Sequence, residues 1–461
     1  NLDDAVKGVF LGYNAGGSGI ITGGYNTALG HTAGYDLTSG YNNTLVGQNA
    51  GANLTTSHNN IAIGRNSLYS ANTAENNHIA IGTNALYSET SSAVGCVAIG
   101  INALIGQNSN VYNTAIGYQA LSHNKAGTGS TVLGYLAGYA NVDAYNTWVG
   151  AESGRNTGHA VANTALGYQA YKSATFSDNT CDLNGTTTIT CDSSADIAVG
   201  QSVEGNGIPY GAYVATVNSA GSVTSFTLNE AATTTASNTT LTFYKGTGDS
   251  NTCIGYTAGE DLTTGAENVC IGRDAGKNFT NNNYNVAIGA YAMDAANVGE
   301  GANVAIGTHA LGSETSGADY CVAVGHNALV YQNGAVKNTL FGYQAGSGMT
   351  DATNNTVVGH NAMSGGNGSH NVCVGYGTGG ASMSGSNNVI VGFQAGDAMT
   401  DGPGNVLIGK AAGGAMTIGD YNVAIGFQAA DAMVGDSNHN LAIGKDALGA
   451  EASGADYCIA I

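Results

Sequence analysis

A glycine returns every 16 to 18 residues along most of this chain, and that spacing constrains the fold more than any other feature. Taken as position 0, ten such glycines run from Gly12 to Gly167 and twelve from Gly255 to Gly444, each inside a variant of Asn-x-Ala-Ile-Gly-x-x-Ala. Self-similarity at a short fixed period is the mark of a solenoid. A unit of about seventeen residues is too short for a helical hairpin repeat, which needs thirty or more, but it suits one turn of short strands and tight bends. Glycine is 72 of 461 residues, yet 43% are hydrophobic, which separates the chain from disordered Gly-rich segments. Two prolines and no triplet register exclude collagen. The expectation is an all-β protein, a parallel β-solenoid (β-roll) of about 17-residue coils.

The aligned columns predict how a coil is built. Position −1 is always Ile, Val, Leu or Phe, and position −3 is Val, Ile, Leu or Thr. This pair is assigned to the core face of a strand. Position −2 is also apolar, as at Ala62, Ala80, Ala98, Ala115, Leu340, Val357, Cys373 and Ile390. A strand apolar on both faces is covered on both, so position −2 is expected to pack outside the coil, on other copies of the chain or on other segments of the same coil. Position +3 is Ala in 19 of 22 copies, with Ser67, Ser153 and Thr378 as exceptions, and position −4 is Asn in 17 of 22. Asparagines stacked about 4.8 Å apart are expected to form a hydrogen-bonded ladder along the bends. The 22 copies would stack to roughly 100 Å.

Longer periods and one interruption complete the layout. Gly30 to Gly167, Gly255 to Gly392 and Gly307 to Gly444 each span 137 residues, or eight coils, and Gly312–Cys321 is nearly repeated at Gly449–Cys458. Duplication of an eight-coil block accounts for both. Between Gly167 and Gly255 the motif gives way to alternating stretches such as Thr186–Thr190 and Ser225–Leu228, which read as antiparallel strands. The expected domains are a first solenoid block over 1–173, an inserted small antiparallel β-domain over 174–249 and a second solenoid block over 250–461.

Eleven Lys and Arg against 31 Asp and Glu give a net charge of −20, which opposes binding to nucleic acid and to anionic membranes. No apolar run is long enough for a membrane helix, and Asn1-Leu2-Asp3-Asp4 does not open a signal peptide. The ends, with Cys458-Ile459-Ala460-Ile461 stopping one residue short of the next glycine, read as cuts through a longer array.

Residues that could carry chemistry are few. Asp351, Asp397, Asp401, Asp431 and Asp436 lie in the variable half of the coil without forming a continuous column, and although Asp397 and Asp431 occupy equivalent positions two coils apart, the paired carboxylates of a glycosidase are not indicated. The ten histidines show no zinc spacing, and no cofactor, metal or catalytic residue is expected. Cys253, Cys270 and Cys373 stand at −2, while Cys96, Cys321 and Cys458 stand at −4, all as packing substitutes. Cys181 and Cys191 flank a Gly-bearing turn in the insert and are a candidate disulfide. Position +1 is aromatic in many coils. Tyr118, Tyr135, Tyr168, Tyr256, Tyr343 and Tyr376 are the candidate glycan contacts, against the plainer reading of an aromatic stack that stiffens the edge. Ice binding is set aside because the Thr at −3 is assigned to the core and recurs irregularly.

Asn285-Val286-Ala287-Ile288-Gly289 and Asn303-Val304-Ala305-Ile306-Gly307 resemble the head repeats of trimeric autotransporter adhesins, and Asn113–Leu121 is similar to repeats of bacteriophage tail-fibre proteins. Val199–Pro209 is similar to a small β-domain of phage fibres. The resemblance implies a left-handed, homotrimeric β-roll. It implies a non-enzymatic fibre for attachment to a host or surface, in a virion tail or, alternatively, as a bacterial surface adhesin or extracellular filament. A glycan-degrading tailspike is the contrasting class. The expected partners are further copies of the chain, other fibre or baseplate proteins and cell-surface glycan.

Overall fold

The computed structural model describes the chain except for residues 1, 4–6, 18–19, 71–75, 89–93, 107–111, 125–126, 210, 219–221, 296–300, 314–318, 332, 335, 381 and 451–453. Two segments of the near-copy pair, 314–318 and 451–453, thus lie outside the described residues. The chain divides into two compact units, Asn1–Gly265 and Ala266–Ile461. Every regular element among the described residues is a strand.

Each coil contributes one short strand ending just before its glycine. In the first unit the strands run from Gly8–Leu11 through Thr164–Leu166 to Thr252–Ile254, and each pairs in parallel with the next in unbroken register, as in Ile61↔Ile79 and Ile63↔Ile81. The second unit repeats the pattern from Val269–Ile271 to Ile459–Ala460. Both units are parallel β-solenoids.

The position 0 glycine is required twice over. Its φ lies between +122° and +145°, a region open only to residues without a Cβ. A Cβ on Gly392 would also sit 2.3 Å from the carbonyl oxygen of Gly409 in the next coil, and the same clash recurs along both units. The chain then bends through left-handed residues at −5 and +2, such as Asn59 and Asn66, where Asn tolerates positive φ better than other side chains.

Strand faces are the reverse of the sequence expectation. Position −2 is the core: from Ala28 to Cys253 and from Cys270 to Ala442, every such residue is fully buried. Positions −1 and −3 point outward, and none of them is buried; Ile63 is 38% and Leu166 47% exposed. The cause is size. A coil with a single three-residue strand has a narrow interior, which in most coils takes Ala or Cys at −2 opposite the buried +3 alanine and in others one larger residue such as Leu45, Leu340 or Ile390, whereas two β-branched columns need the open side. Where +3 is Ser67, Ser153 or Thr378, the hydroxyl donates to a backbone carbonyl within the core.

In most coils the rest of the interior is filled by one large side chain, supplied from either of two positions. Leu68, Leu86, Leu104, Leu121, Met293, Leu311, Leu329 and Met363 supply it from +4. Where +4 is Gly, as at Gly51, Gly276, Gly346 and Gly396, Leu54, Phe279, Met349 and Met399 supply it from +7, and a Cβ at that glycine would lie 2.6 to 3.0 Å from the +7 side chain. The −4 asparagines form the expected ladder. Asn43 Oδ1 accepts the backbone N–H of Asn60, Asn388 Oδ1 that of Asn405, and Asn405 Oδ1 that of Asn422. Their side-chain amides donate to bend carbonyls, as Asn43 does to Ser57 and Asn405 to Gly419.

The insert is a six-stranded antiparallel sheet in the order Ser202–Glu204, Thr235–Tyr244, Thr175–Asn184, Thr188–Ser194, Val223–Leu228, Val214–Val217. The two outermost strands also meet, through Val203 N–H to Ala212 O and Val214 N–H to Gln201 O, both 2.9 Å, so the sheet closes into a small barrel. Cys181, Ile189, Phe226, Leu241 and Phe243 form its core. The solenoid passes the insertion without a break: Thr164 pairs with Thr252, and Asn163 Oδ1 accepts the N–H of Asn251 at 2.7 Å.

Two glycine substitutions separate steric need from convenience. Gly392→Ala is expected to cost about 3 kcal/mol or more through combined clash and backbone strain. Gly377→Asn, at a +2 position where φ is +58° and the nearest atom stands 3.7 Å from a built Cβ, is expected to leave the melting temperature almost unchanged. Equal melting temperatures for the two variants would refute this account of position 0.

Candidate functional site

Three surfaces could carry function: the outer strand face, the aromatic edge and the junction between barrel and solenoid. The outer face presents Ile, Val, Leu, Phe and Thr side by side in every coil of each unit. In the first unit, Thr114, Thr131, Thr147, Thr164 and Thr252 stand consecutively at −3, beside Ile116, Leu133, Val149, Leu166 and Ile254 at −1. The Thr column is therefore outward, not in the core as the sequence reading had it.

The aromatic edge contains all six tyrosines singled out from the sequence. Tyr118 stacks on Tyr135 with centroids 5.6 Å apart, and Tyr168 on Tyr256 at 5.4 Å. In the second unit the row is continuous. His326, Tyr343, His360, Tyr376 and Phe393 stack in succession at 4.8 to 5.3 Å, and Lys410 and Lys445 extend it by lying against Phe393 and Phe427. Rings held this way spend their faces on one another and offer solvent their edges and hydroxyls. Stacking on a sugar needs a free face, so the geometry favours the stiffening role for this row.

The carboxylates are dispersed. Asp436 accepts from Asn438, Asp401 from the backbone of Gly402, and Asp351 from Thr350. Burial pushes the Asp397 carboxyl above its ordinary range. Among the described residues no group of three His, Cys, Asp or Glu is placed to hold a metal ion.

The candidate disulfide residues, Cys181 and Cys191, lie on adjacent antiparallel strands in the register Asp182↔Thr190, each as a free thiol. Cys181 is buried in the barrel core, whereas Cys191 lies part-buried with its Sγ 3.5 Å from the carbonyl oxygen of Val223, its hydrogen-bond acceptor. Burial and nearby aspartates push the Cys181 thiol well up and that of Cys191 to about 11. Thiols so far from ionising are poor nucleophiles for oxidation. The other six cysteines are also free, with Cys253, Cys270 and Cys373 fully buried at −2. At −4, Cys96, Cys321 and Cys458 direct their Sγ to the backbone carbonyls of Val94, Asp319 and Asp456.

One polar cluster has no counterpart in the sequence reading. Glu204 of the barrel is gripped by His123 Nε2 from the solenoid and by the Tyr244 hydroxyl from the barrel, while the Tyr139 hydroxyl of the solenoid donates to it as well. His123 is almost fully buried, and its Nδ1 lies 2.9 Å from the Tyr139 carbonyl. Ile208 and Pro209 close one side of a cavity of about 320 Å³ beside it. Burial alone would raise the Glu204 carboxyl; the hydrogen bonds from His123, Tyr244 and Tyr139 outweigh it and hold the group below its ordinary range. A second anchor sits nearby, where His159 pairs with Asp143 at 2.7 Å and sets its ring edge-on to Tyr213 of the barrel. His123 and Glu204 stand 81 positions apart in unrelated motifs, so no local pattern announces them.

The arrangement fixes the barrel to the solenoid. Because Glu204 titrates below its ordinary value of 4.5, its contribution is complete above that value and fades as pH falls from there through the depressed one. Glu204→Gln is expected to lower stability at pH 7 by about 2 kcal/mol, less than for a fully enclosed pair. It should also abolish the acid-induced rise in hydrogen exchange of strand Ser202–Glu204. Equal acid sensitivity in both proteins would remove Glu204 as the cause. Comparison with protein-family models, with curated proteins and with solved structures finds no match to this chain.

Proposed function

We propose that this chain is a segment of a structural fibre that attaches a particle or cell to a host or surface, in the manner of a virion tail fibre. In this reading the solenoid is a homotrimer whose outer strand faces form the subunit seams. The observation that carries it is the outward placement of positions −1 and −3. A monomer in water rarely leaves a contiguous apolar strand face uncovered, and a repeating face calls for a repeating partner, most simply another copy. The free carboxylates are scattered, which supports a mechanical role over glycan cleavage. A bacterial surface adhesin or extracellular filament would use the same seam, and the barrel is the natural place for a receptor or an adjoining fibre protein to engage.

The outward Thr column from Thr114 to Thr252 favours one further reading, in which a flat array of hydroxyls and methyls orders water and binds ice. The two readings place different things on the same face. Light scattering at several concentrations is expected to give a persistent mass near three times 45.9 kDa. The combined change Ile81→Lys, Ile99→Lys and Ile116→Lys, on one outward column, should reduce that mass threefold with strand content retained in circular dichroism. A wild-type monomer would overturn the trimeric fibre, and ice-growth inhibition by that monomer would select the alternative.

A further inference from the structure

The second unit carries a cleft of about 340 Å³ bounded by His309, Ser313, Asn327, Tyr331, Gln344 and Ser347. Its volume falls within the range of small-molecule sites, and among the described residues no carboxylate, lysine or arginine lines it. We propose that this cleft binds an uncharged saccharide, with Tyr331 as the stacking platform and the amides of Asn327 and Gln344 as the groups that read sugar hydroxyls. The proposal goes beyond the fibre reading, names a site separate from the strand seam, and does not depend on the oligomeric state.

The first observation is Tyr331 itself. Tyr343 and Tyr376 of the same unit are stacked between ring neighbours. Tyr331 is 60% exposed and stacks on no other ring among the described residues. It therefore keeps a face free for the apolar side of a pyranose.

The second observation is the state of the amides. Asn327 and Gln344 both stand at +2, held in the left-handed conformation with φ of +55° and +52°. In the first unit the +2 column satisfies itself: Asn49 donates to Asn66, Asn66 to Asn84 and Asn84 to Asn102, at 3.0 to 3.2 Å. The side chains of Asn327 and Gln344 make no such bond among the described residues, so their donors and acceptors face the cleft unspent. A planar amide offers a donor and an acceptor side by side, which matches the paired hydroxyls of a sugar ring.

The surrounding groups are already held in place, which limits the ordering cost of binding. His309 lies stacked on Tyr291 at 4.8 Å, and Ser347 donates to the carbonyl of Ser364 at 3.1 Å while its oxygen stays able to accept. Charge narrows the ligand class. With no lysine or arginine among the described lining residues and a net charge of −20 on the chain, an acidic sugar meets repulsion and no fixed counter-ion.

The test is saturation-transfer NMR and calorimetry of the full chain with lactose, maltotriose, tri-N-acetylchitotriose and sialyllactose. At least one of the three neutral sugars is expected to bind. Tyr331→Ala should weaken it by about tenfold or more, and the double change Asn327→Ala with Gln344→Ala by a similar factor. Tyr343→Leu, in the stacked row, should leave binding within about twofold, which separates the cleft from the aromatic edge. Absence of binding by every neutral sugar, unchanged affinity in Tyr331→Ala, or a preference for sialyllactose over lactose would each overturn the proposal.

Discussion

The close approach of one coil's position 0 glycine to the next coil's carbonyl is the constraint on which the rest of the structure depends. With a Cβ excluded at Gly47, Gly64 and their equivalents, successive backbones settle into one register, and each further feature inherits it. The −4 asparagines fall at hydrogen-bonding distance because the glycines do. So do the +1 rings and the outward strand residues. A net worth of about 1 kcal/mol per satisfied buried amide is modest, but the ladder repeats in nearly every coil and leaves few register alternatives. Specificity here comes from repetition of a small contact more than from a large core.

Inside that frame the interior is narrow, and its filling shows how little space there is. In most coils the exchange between a large residue at +4 and a Gly followed by a large residue at +7 keeps one such bulky side chain, as Leu121 does in one coil and Leu54 does in another. Trp148 is accommodated at −2 only where Gly138 and Gly154 withdraw around it and Tyr171 meets it edge-on. Such compensation between neighbours is what close packing demands when volume cannot be added.

The period, the all-β class, the Asn ladder and the interrupted array were legible in the sequence because each rests on a residue type with one dominant reason to recur. The orientation of the strand was not. Ile116 and Ala115 are both apolar, and hydropathy does not say which faces inward. Size was a partial signal: in most coils a small −2 residue opposes the +3 alanine, although Leu45, Trp148 and Ile390 fill the same place. The Glu204 cluster was illegible for another reason, since its four members come from coils and strands that only the folded barrel brings together. The cleft at Tyr331 depended on knowing which rings had already found partners.

The uninterrupted pairing of Thr164 with Thr252 has an evolutionary consequence. The barrel leaves and re-enters the coil at points already adjacent, since Lys245 N–H bonds to Ala174 O at 3.0 Å. To the solenoid, then, the whole excursion is equivalent to a tight bend. Any module whose own ends lie side by side meets that requirement, and exchanging one for another leaves the backbone ladder beneath untouched. The scaffold and its decoration can thus diverge at different rates, the first held by stacking and the second free to follow whatever surface it must meet.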